Sequence, residues 1–372
     1  MSKPTLILIQ STDATIEGFK EKGLWERQYF TIENYTKEFE VYYYTSDSKS
    51  FQKIMPKNSF HKIANYASSI YGLRHILFYI YLLQEAFKWR KLDCVIRVFG
   101  VNIPVLPLIK LISSKKIVSS FQYDWAKQTK KNYGILAVKK LLASLIQYHS
   151  LKYSDIIIAT MPWLKQKVKR DFPTKKVYVI PNYVNTDIFT PTTKKNQIVF
   201  AGRLHWSKGV DILIEVFNKL SKQFKNYTLV ILGDGEDRKR LEKLASNNKN
   251  IVFKGNVAFS DVAKYFNESE IFVLPTKTME GHPKALIEAM ASGCKCIASD
   301  VPGNKDVLEQ SGTREYLFKN GNINDLLDKL LFAINDDILY KKQYNFAIKN
   351  YDGKILFEKE IKILNNLKDD NV

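Results

Sequence analysis

Short apolar runs of strand character alternate with helix-like segments along nearly the whole 372-residue chain, and no other feature constrains the fold as tightly. Alternation of this kind calls for parallel sheets with helices laid over their faces. In the first half, Thr5–Gln10 reads as a strand, Leu24–Tyr35 as a helix and Phe39–Thr45 as a strand. A long helix follows over Ile70–Trp89, then short strands at Cys94–Phe99, Ile117–Phe121 and Asp155–Thr160. The turn-rich join Ile180–Phe189 precedes a second series, with strands at Gln197–Phe200, Thr228–Leu232, Ile251–Lys254, Ile271–Leu274 and Cys296–Ala298. Helices are expected to start near Val210, Glu236, Asp261 and Pro283. Leu339–Leu367 reads as a charged helix with an apolar stripe at Ile355, Ile361 and Leu364. The expected fold class is α/β: two doubly wound domains, residues 1–184 and 185–350, facing each other across a cleft. The length suffices for both.

Composition narrows the function classes. Apolar residues make up 45% of the chain and charged residues 26%, which describes an ordinary folded protein and excludes disorder. Cys94, Cys294 and Cys296 make no disulfide framework and lack metal-site spacing, which fits a reducing compartment. The apolar run near the start is too short for a signal-peptide core. The longest apolar stretch, Ile76–Leu83, falls far short of the roughly 20 residues that span a bilayer. A cytoplasmic protein is expected, at most seated on the cytoplasmic face of a membrane.

The net charge of +19 is unevenly placed. Residues 1–185 hold 29 Lys/Arg against 13 Asp/Glu, whereas the remainder holds 28 against 25. Within residues 48–185 the count is 24 to 5. Such a field suits an anionic partner: nucleic acid, an acidic membrane or a phosphate-bearing substrate. The blander reading, a lysine-rich proteome, predicts a similar excess in both halves.

The segment EGHPKALIEAMASG, Glu280–Gly293, carries the sharpest chemistry. It follows a strand that reads as buried, and Pro283 suits the first position of a helix, where its missing N–H costs nothing. The Glu280-Gly281-His282 loop then aims the free N–H groups of that helix above the strand ends. Open α/β sheets bind ligands there, and helix N-termini favour phosphate. Glu288 lies about two turns further along the helix, close to the same face. Both carboxylates can accept hydrogen bonds from sugar hydroxyls, although two such glutamates on an amphipathic helix are, by themselves, ordinary.

Four segments in order resemble the nucleotide-binding domain of the retaining glycosyltransferases of family four, which have the two-domain GT-B fold. They are IPNYVNTDIF, FAGRLHWSKGVDILIEVF, LVILGDGEDRKRLEKLA and IFVLPTKTMEGHPKALIEAMASGCKCIASDVPG. The first departs from the family pattern at Tyr183, where glycine is usual, and at Asn185, where aspartate is usual. The resemblance implies a C-terminal helix, residues 351–372, that packs back on the first domain. It also implies roles for single residues. Arg203 and Lys208, beside Gly202, would bind the donor diphosphate and stabilise the charge that develops on it. Glu288 would hold the ribose, and Glu280 would stand by the transferred sugar. The segment Gly281, His282, Pro283, Lys284 and Ala285 would bind the donor, the backbone N–H groups around His282–Ala285 capping its phosphates, and Asn256 and Val257 would hold the base. The His282 ring is expected to pack or to stack on sugar rather than to act as a base.

The implied reaction retains the anomeric configuration and needs no protein nucleophile. The cleft segments contain no Asp-x-Asp motif, so no metal and no cofactor are expected beyond a nucleotide-diphosphate sugar. Family frequency puts UDP ahead of GDP and ADP. The first half matches the family only in layout: VSSFQYDW places Gln122, Tyr123 and Asp124 on the acceptor side, where many members carry a histidine. Asp124 fits an acceptor hydroxyl and a helix cap equally well.

The acceptor expected is a glycan or a lipid-linked sugar of cell-surface polysaccharide or glycolipid synthesis. Peripheral contact with an anionic membrane through residues 48–185 is expected with it. Two other readings remain. One is a nucleotide-sugar epimerase or hydrolase on the same scaffold. The other is a basic nucleic-acid-binding protein, although no helix-turn-helix, zinc or ribonucleoprotein signature supports it.

Overall fold

The computed structural model describes residues 3–12, 14–64, 71–122, 124 and 137–369. The chain divides into two compact units, Met1–Pro181 with Leu356–Val372, and Asn182–Ile355. The change of unit falls at Pro181 rather than after 184, and the chain returns to the first unit at Leu356 rather than at 351.

In the first unit, seven parallel strands among the described residues form one sheet. They are β1 (Thr5–Gln10), β2 (Glu40–Tyr44), β3 (Ser59–Lys62), β4 (Cys94–Phe99), β5 (Ile117–Phe121), β6 (Ile156–Ala159) and β7 (Lys176–Val179). Their order is β3-β2-β1-β4-β5-β6-β7. The central strands are buried on both faces, which is why Leu6–Ile9 reads as an unbroken apolar run.

One charge breaks that rule. Arg97 on β4 is buried, its Nε 2.6 Å from Glu360 Oε1 and its Nη2 2.7 Å from the Ser120 hydroxyl. The Tyr35 hydroxyl donates to the same Glu360 oxygen at 2.6 Å. Burial opposes the charge on Arg97, but Glu360 and Tyr35 more than offset this and hold its pKa above the ordinary value. Glu360 lies on the last helix, Gly353–Asp369, so the ion pair stitches that helix to the sheet. The buried stripe of this helix is Leu356, Phe357, Glu360, Leu364 and Leu367; Ile355, expected inside, is exposed.

The second unit holds six parallel strands among the described residues. These are β8 (Lys195–Ala201), β9 (Thr228–Leu232), β10 (Ile251–Gly255), β11 (Ser269–Leu274), β12 (Lys295–Ser299) and β13 (Leu317–Phe318), in the order β10-β9-β8-β11-β12-β13. Chain order reverses between β8 and β11, the switch point at which open α/β sheets take ligands. Cys294 and Cys296 are buried in this core, as core packing predicts. Among the described residues no helix is long and apolar enough to cross a membrane.

Candidate functional site

Two loops leave the sheet of the second unit at its switch point and are locked to their neighbours through glycine backbones. The loop after β8 runs through Gly202, Arg203 and Leu204 to a single tight turn, Trp206–Lys208, and Gly209. Gly209 has φ +67°, and a Cβ there would lie 2.0 Å from the Pro275 carbonyl oxygen at the end of β11. Only glycine permits that approach. The Lys277 N–H donates to the Ser207 carbonyl at 2.7 Å, closing the same contact. On the other side, Gly233 of the Gly-Asp-Gly turn sits so close that a Cβ would be 2.0 Å from Gly202 O.

This backbone contact brings Lys208 to Glu280. Lys208 Nζ lies 2.6 Å from Glu280 Oε1, and the Thr276 hydroxyl donates to the same oxygen at 3.0 Å. Both side chains remain partly open to solvent. Two residues predicted from separate motifs therefore meet across the switch point. Thr276 was not singled out in the sequence; its place between a strand end and an acidic loop was the available signal.

Arg203 does not join them. Its side chain is 69% exposed and pairs with Glu236 at 3.3 Å, whose other oxygen lies 3.1 Å from His205 Nε2. Glu236 was expected at a helix start, but that helix begins at Arg238, which leaves Glu236 on the turn facing Arg203.

The helix after β11 spans Lys284–Ala291, with Pro283 at its N-cap rather than in its first turn. Leu286 and Ile287 donate to the Pro283 carbonyl, whereas the N–H groups of Lys284 and Ala285 precede the first intrahelical bond. Pro283 itself has no N–H to give. His282 is buried, its ring edge-on to Tyr351 with centroids 5.0 Å apart. Burial, helped by Lys284, pushes its pKa down to about 3, so the imidazole is neutral. It packs against Tyr351, while its carbonyl accepts from Asn182 Nδ2 at 2.8 Å. Glu288 is 2% exposed, far more enclosed than a carboxylate reaching into solvent. Asn256 is exposed and Val257 half-buried, on the loop that follows β10.

On the first unit, Asp124 is buried, 3.2 Å from Lys167 Nζ and accepting from Gln147 Nε2 at 3.1 Å. Gln122 lends its carbonyl to the Thr160 hydroxyl at 3.1 Å. Tyr123 lies outside the described residues.

With this geometry in place, the likeness to known proteins can be read. Residues 185–350 match the family Glycosyl transferases group 1. The chain carries a group 1 glycosyltransferase domain. That domain holds Lys208, Glu280 and the whole switch-point site. An uncharacterised glycosyltransferase of Haemophilus influenzae is 30% identical over 54% of this chain and 58% of its own length. A poly(ribitol-phosphate) alpha-N-acetylglucosaminyltransferase of Staphylococcus aureus is 26% identical over 58% of this chain and 44% of its own length. The chain thus spans about half the length of these curated relatives.

Among solved structures, a sucrose-phosphate synthase from Thermosynechococcus elongatus superposes with TM-score 0.76 at 15% identity, covering 98% of this chain and 99% of that one. Anabaena HepE, solved with UDP and glucose, gives 0.74 at 13% identity, covering 97% and 100%. At these identities the likeness is one of fold, and the fold is GT-B: two Rossmann-like domains built on parallel sheets.

Proposed function

We propose that this chain is a retaining, metal-independent glycosyltransferase that moves a hexose-type sugar from a UDP-sugar to a glycan or lipid-linked acceptor. The observation that carries the reading is the Lys208–Glu280 contact of 2.6 Å, held at the switch point just ahead of the N-terminus of the Lys284–Ala291 helix. A cation, a carboxylate and a helix N-terminus at one spot can receive a sugar diphosphate: the ammonium and the amides take the phosphates, the carboxylate a sugar hydroxyl. Lys208 and Arg203 would stabilise the charge that builds on the leaving diphosphate, a task that preorganised cations perform without metal. That phosphate would in turn accept the acceptor's proton on the same face of the sugar. The neutral, buried His282 would take no part in proton transfer. Glu288 would reach the ribose from within the helix, and Asn256 and Val257 would border the base.

The relatives support the donor and acceptor classes. HepE and TarM have been solved with UDP, TarM also with alpha-GlcNAc-glycerol. One curated relative is a phosphatidylinositol N-acetylglucosaminyltransferase subunit, which favours the lipid-linked branch.

Calorimetric titration with UDP, GDP and ADP, in EDTA, tests this reading. UDP is expected to bind in the micromolar range, and Arg203→Ala and Lys208→Ala each to weaken it about tenfold, near 1.4 kcal/mol. Binding that requires a divalent ion, or that ignores both substitutions, would remove the reading. Product analysis without acceptor separates transfer from epimerisation or hydrolysis.

A further inference from the structure

The first unit contains a second concave site, at the opposite edge of its sheet from the strand ends that face ligands in this class of fold. It lies where β5, β6 and β7 begin, and it encloses about 410 Å³. Five lysines line it, Lys110, Lys116, Lys152, Lys175 and Lys176, against a single carboxylate, Asp155.

Two of the ammonium groups are pinned by the protein. Lys110 Nζ lies 2.6 Å from Asp155 Oδ2 and 2.9 Å from the Lys115 carbonyl. Lys175 Nζ donates to the carbonyls of Ser154 at 2.6 Å and Lys152 at 2.8 Å. Asp155 is itself engaged, since it also accepts from the Ile117 N–H at 2.7 Å. Lys116, Lys152 and Lys176 complete the wall. Partial burial lowers the pKa of Lys175, against the pull of Asp155 and with a smaller push from Lys110. A concave wall with an excess of one sign of charge, here five lysines against one carboxylate, concentrates the field and its counter-ions. Lysine ammoniums are compact point charges that suit phosphoryl oxygens without a fixed approach angle.

We propose that this pocket binds a phosphoryl anion, either a diphosphate or the phosphomonoester headgroup of a lipid, separately from the nucleotide site of the second unit. Nothing in the inference depends on the transferase reading, because the residues belong to another unit and another sheet edge.

Inorganic pyrophosphate without metal is the probe. The full chain carrying Arg203→Ala and Lys208→Ala removes the competing phosphate cations of the second unit. In that background one equivalent of pyrophosphate is expected to bind. Adding Lys116→Gln, Lys152→Gln and Lys176→Gln should weaken it at least tenfold, while Lys→Arg at the same three positions should retain it. Retention in the arginine variant distinguishes lost charge from lost fold. Vesicles containing phosphatidic acid form the second arm: displacement of bound pyrophosphate assigns the pocket to a headgroup, and no displacement assigns it to a soluble diphosphate. Absence of pyrophosphate binding in the Arg203→Ala, Lys208→Ala protein, or binding indifferent to the three glutamines, overturns the proposal.

Discussion

At Gly209 a single missing Cβ decides where Lys208 can stand. The left-handed backbone and the 2.0 Å approach to Pro275 O are independent reasons against any side chain. Gly209→Ala should therefore cost on the order of 2–4 kcal/mol and separate the ends of β8 and β11. Urea unfolding reads the first effect and UDP affinity the second; an unchanged midpoint with unchanged affinity would show that the contact is slack.

Asp47 offers a residue-scale prediction in the first unit. It is buried, and it accepts from the N–H groups of Ile16 and Glu17 at 2.9 and 3.0 Å, capping that helix from another segment. Burial raises its pKa, but the nearby His61 ring, the Thr45 hydroxyl and the two amides outweigh burial and hold it below the usual carboxylate range. Because the folded pKa is depressed, the contribution is present above the unfolded value of about 3.9 and is lost as pH falls through the folded one. Asp47→Asn should destabilise by about 1–3 kcal/mol at pH 7, and the gap to the parent should narrow as pH falls through the depressed folded value. A gap that does not change with pH would mean that the carboxylate's charge contributes nothing.

At the scale of elements, legibility followed burial. The strands Cys94–Phe99, Ile117–Phe121 and Thr228–Leu232 are where the sequence places them, because fully buried parallel strands read as apolar runs. The edge strands of the first sheet did not show: β3 (Ser59–Lys62) and β7 (Lys176–Val179) alternate with Lys, His and exposed Tyr178, and only pairing with a neighbour makes them strands. The expected single helix over Leu339–Leu367 breaks at Asp352, where Val184 N donates to Tyr351 O and Gly353 N to Val184 O. The Asp-Gly dipeptide was the overlooked signal. What no pattern announced is Glu360, a charge on the inner face of the following helix. Glu360→Ala would leave Arg97 charged and buried at a cost of about 3–5 kcal/mol. Guanidinium unfolding should show the loss in the transition of the first unit. A loss below about 1 kcal/mol would mean that water reaches Arg97 and replaces the carboxylate.

At the scale of the molecule, the sequence revealed the two βα series and the motif-bearing half far better than the details of the first unit. The motifs of the second unit are local, each a loop fixed to its own strand, so Lys208 and Glu280 could be named before their contact was seen. Gln122 and Asp124 depend on long-range packing, and Asp124 proves to be tied to Lys167 and Gln147. The basic excess of residues 48–185 likewise has no single motif, but the fold gives it a face. Helix Leu106–Ser113 packs beside helix Ala137–Tyr153. Leu108, Leu111, Leu141, Leu142 and Leu145 on this pair are exposed, on helices whose sequences also carry lysines. Aliphatic side chains inserted at the acyl boundary, with lysines at the phosphates, would bind an acidic surface, and the electrostatic part should weaken with salt. Flotation with anionic vesicles is therefore expected to carry the protein upward at low salt, less so at high salt, and neutral vesicles to leave it behind. Leu111→Ser with Leu142→Ser should reduce the fraction bound several-fold, because each removes an insertion without touching charge. Equal and negligible flotation with both vesicle types would end the membrane reading and return the basic field to soluble anions.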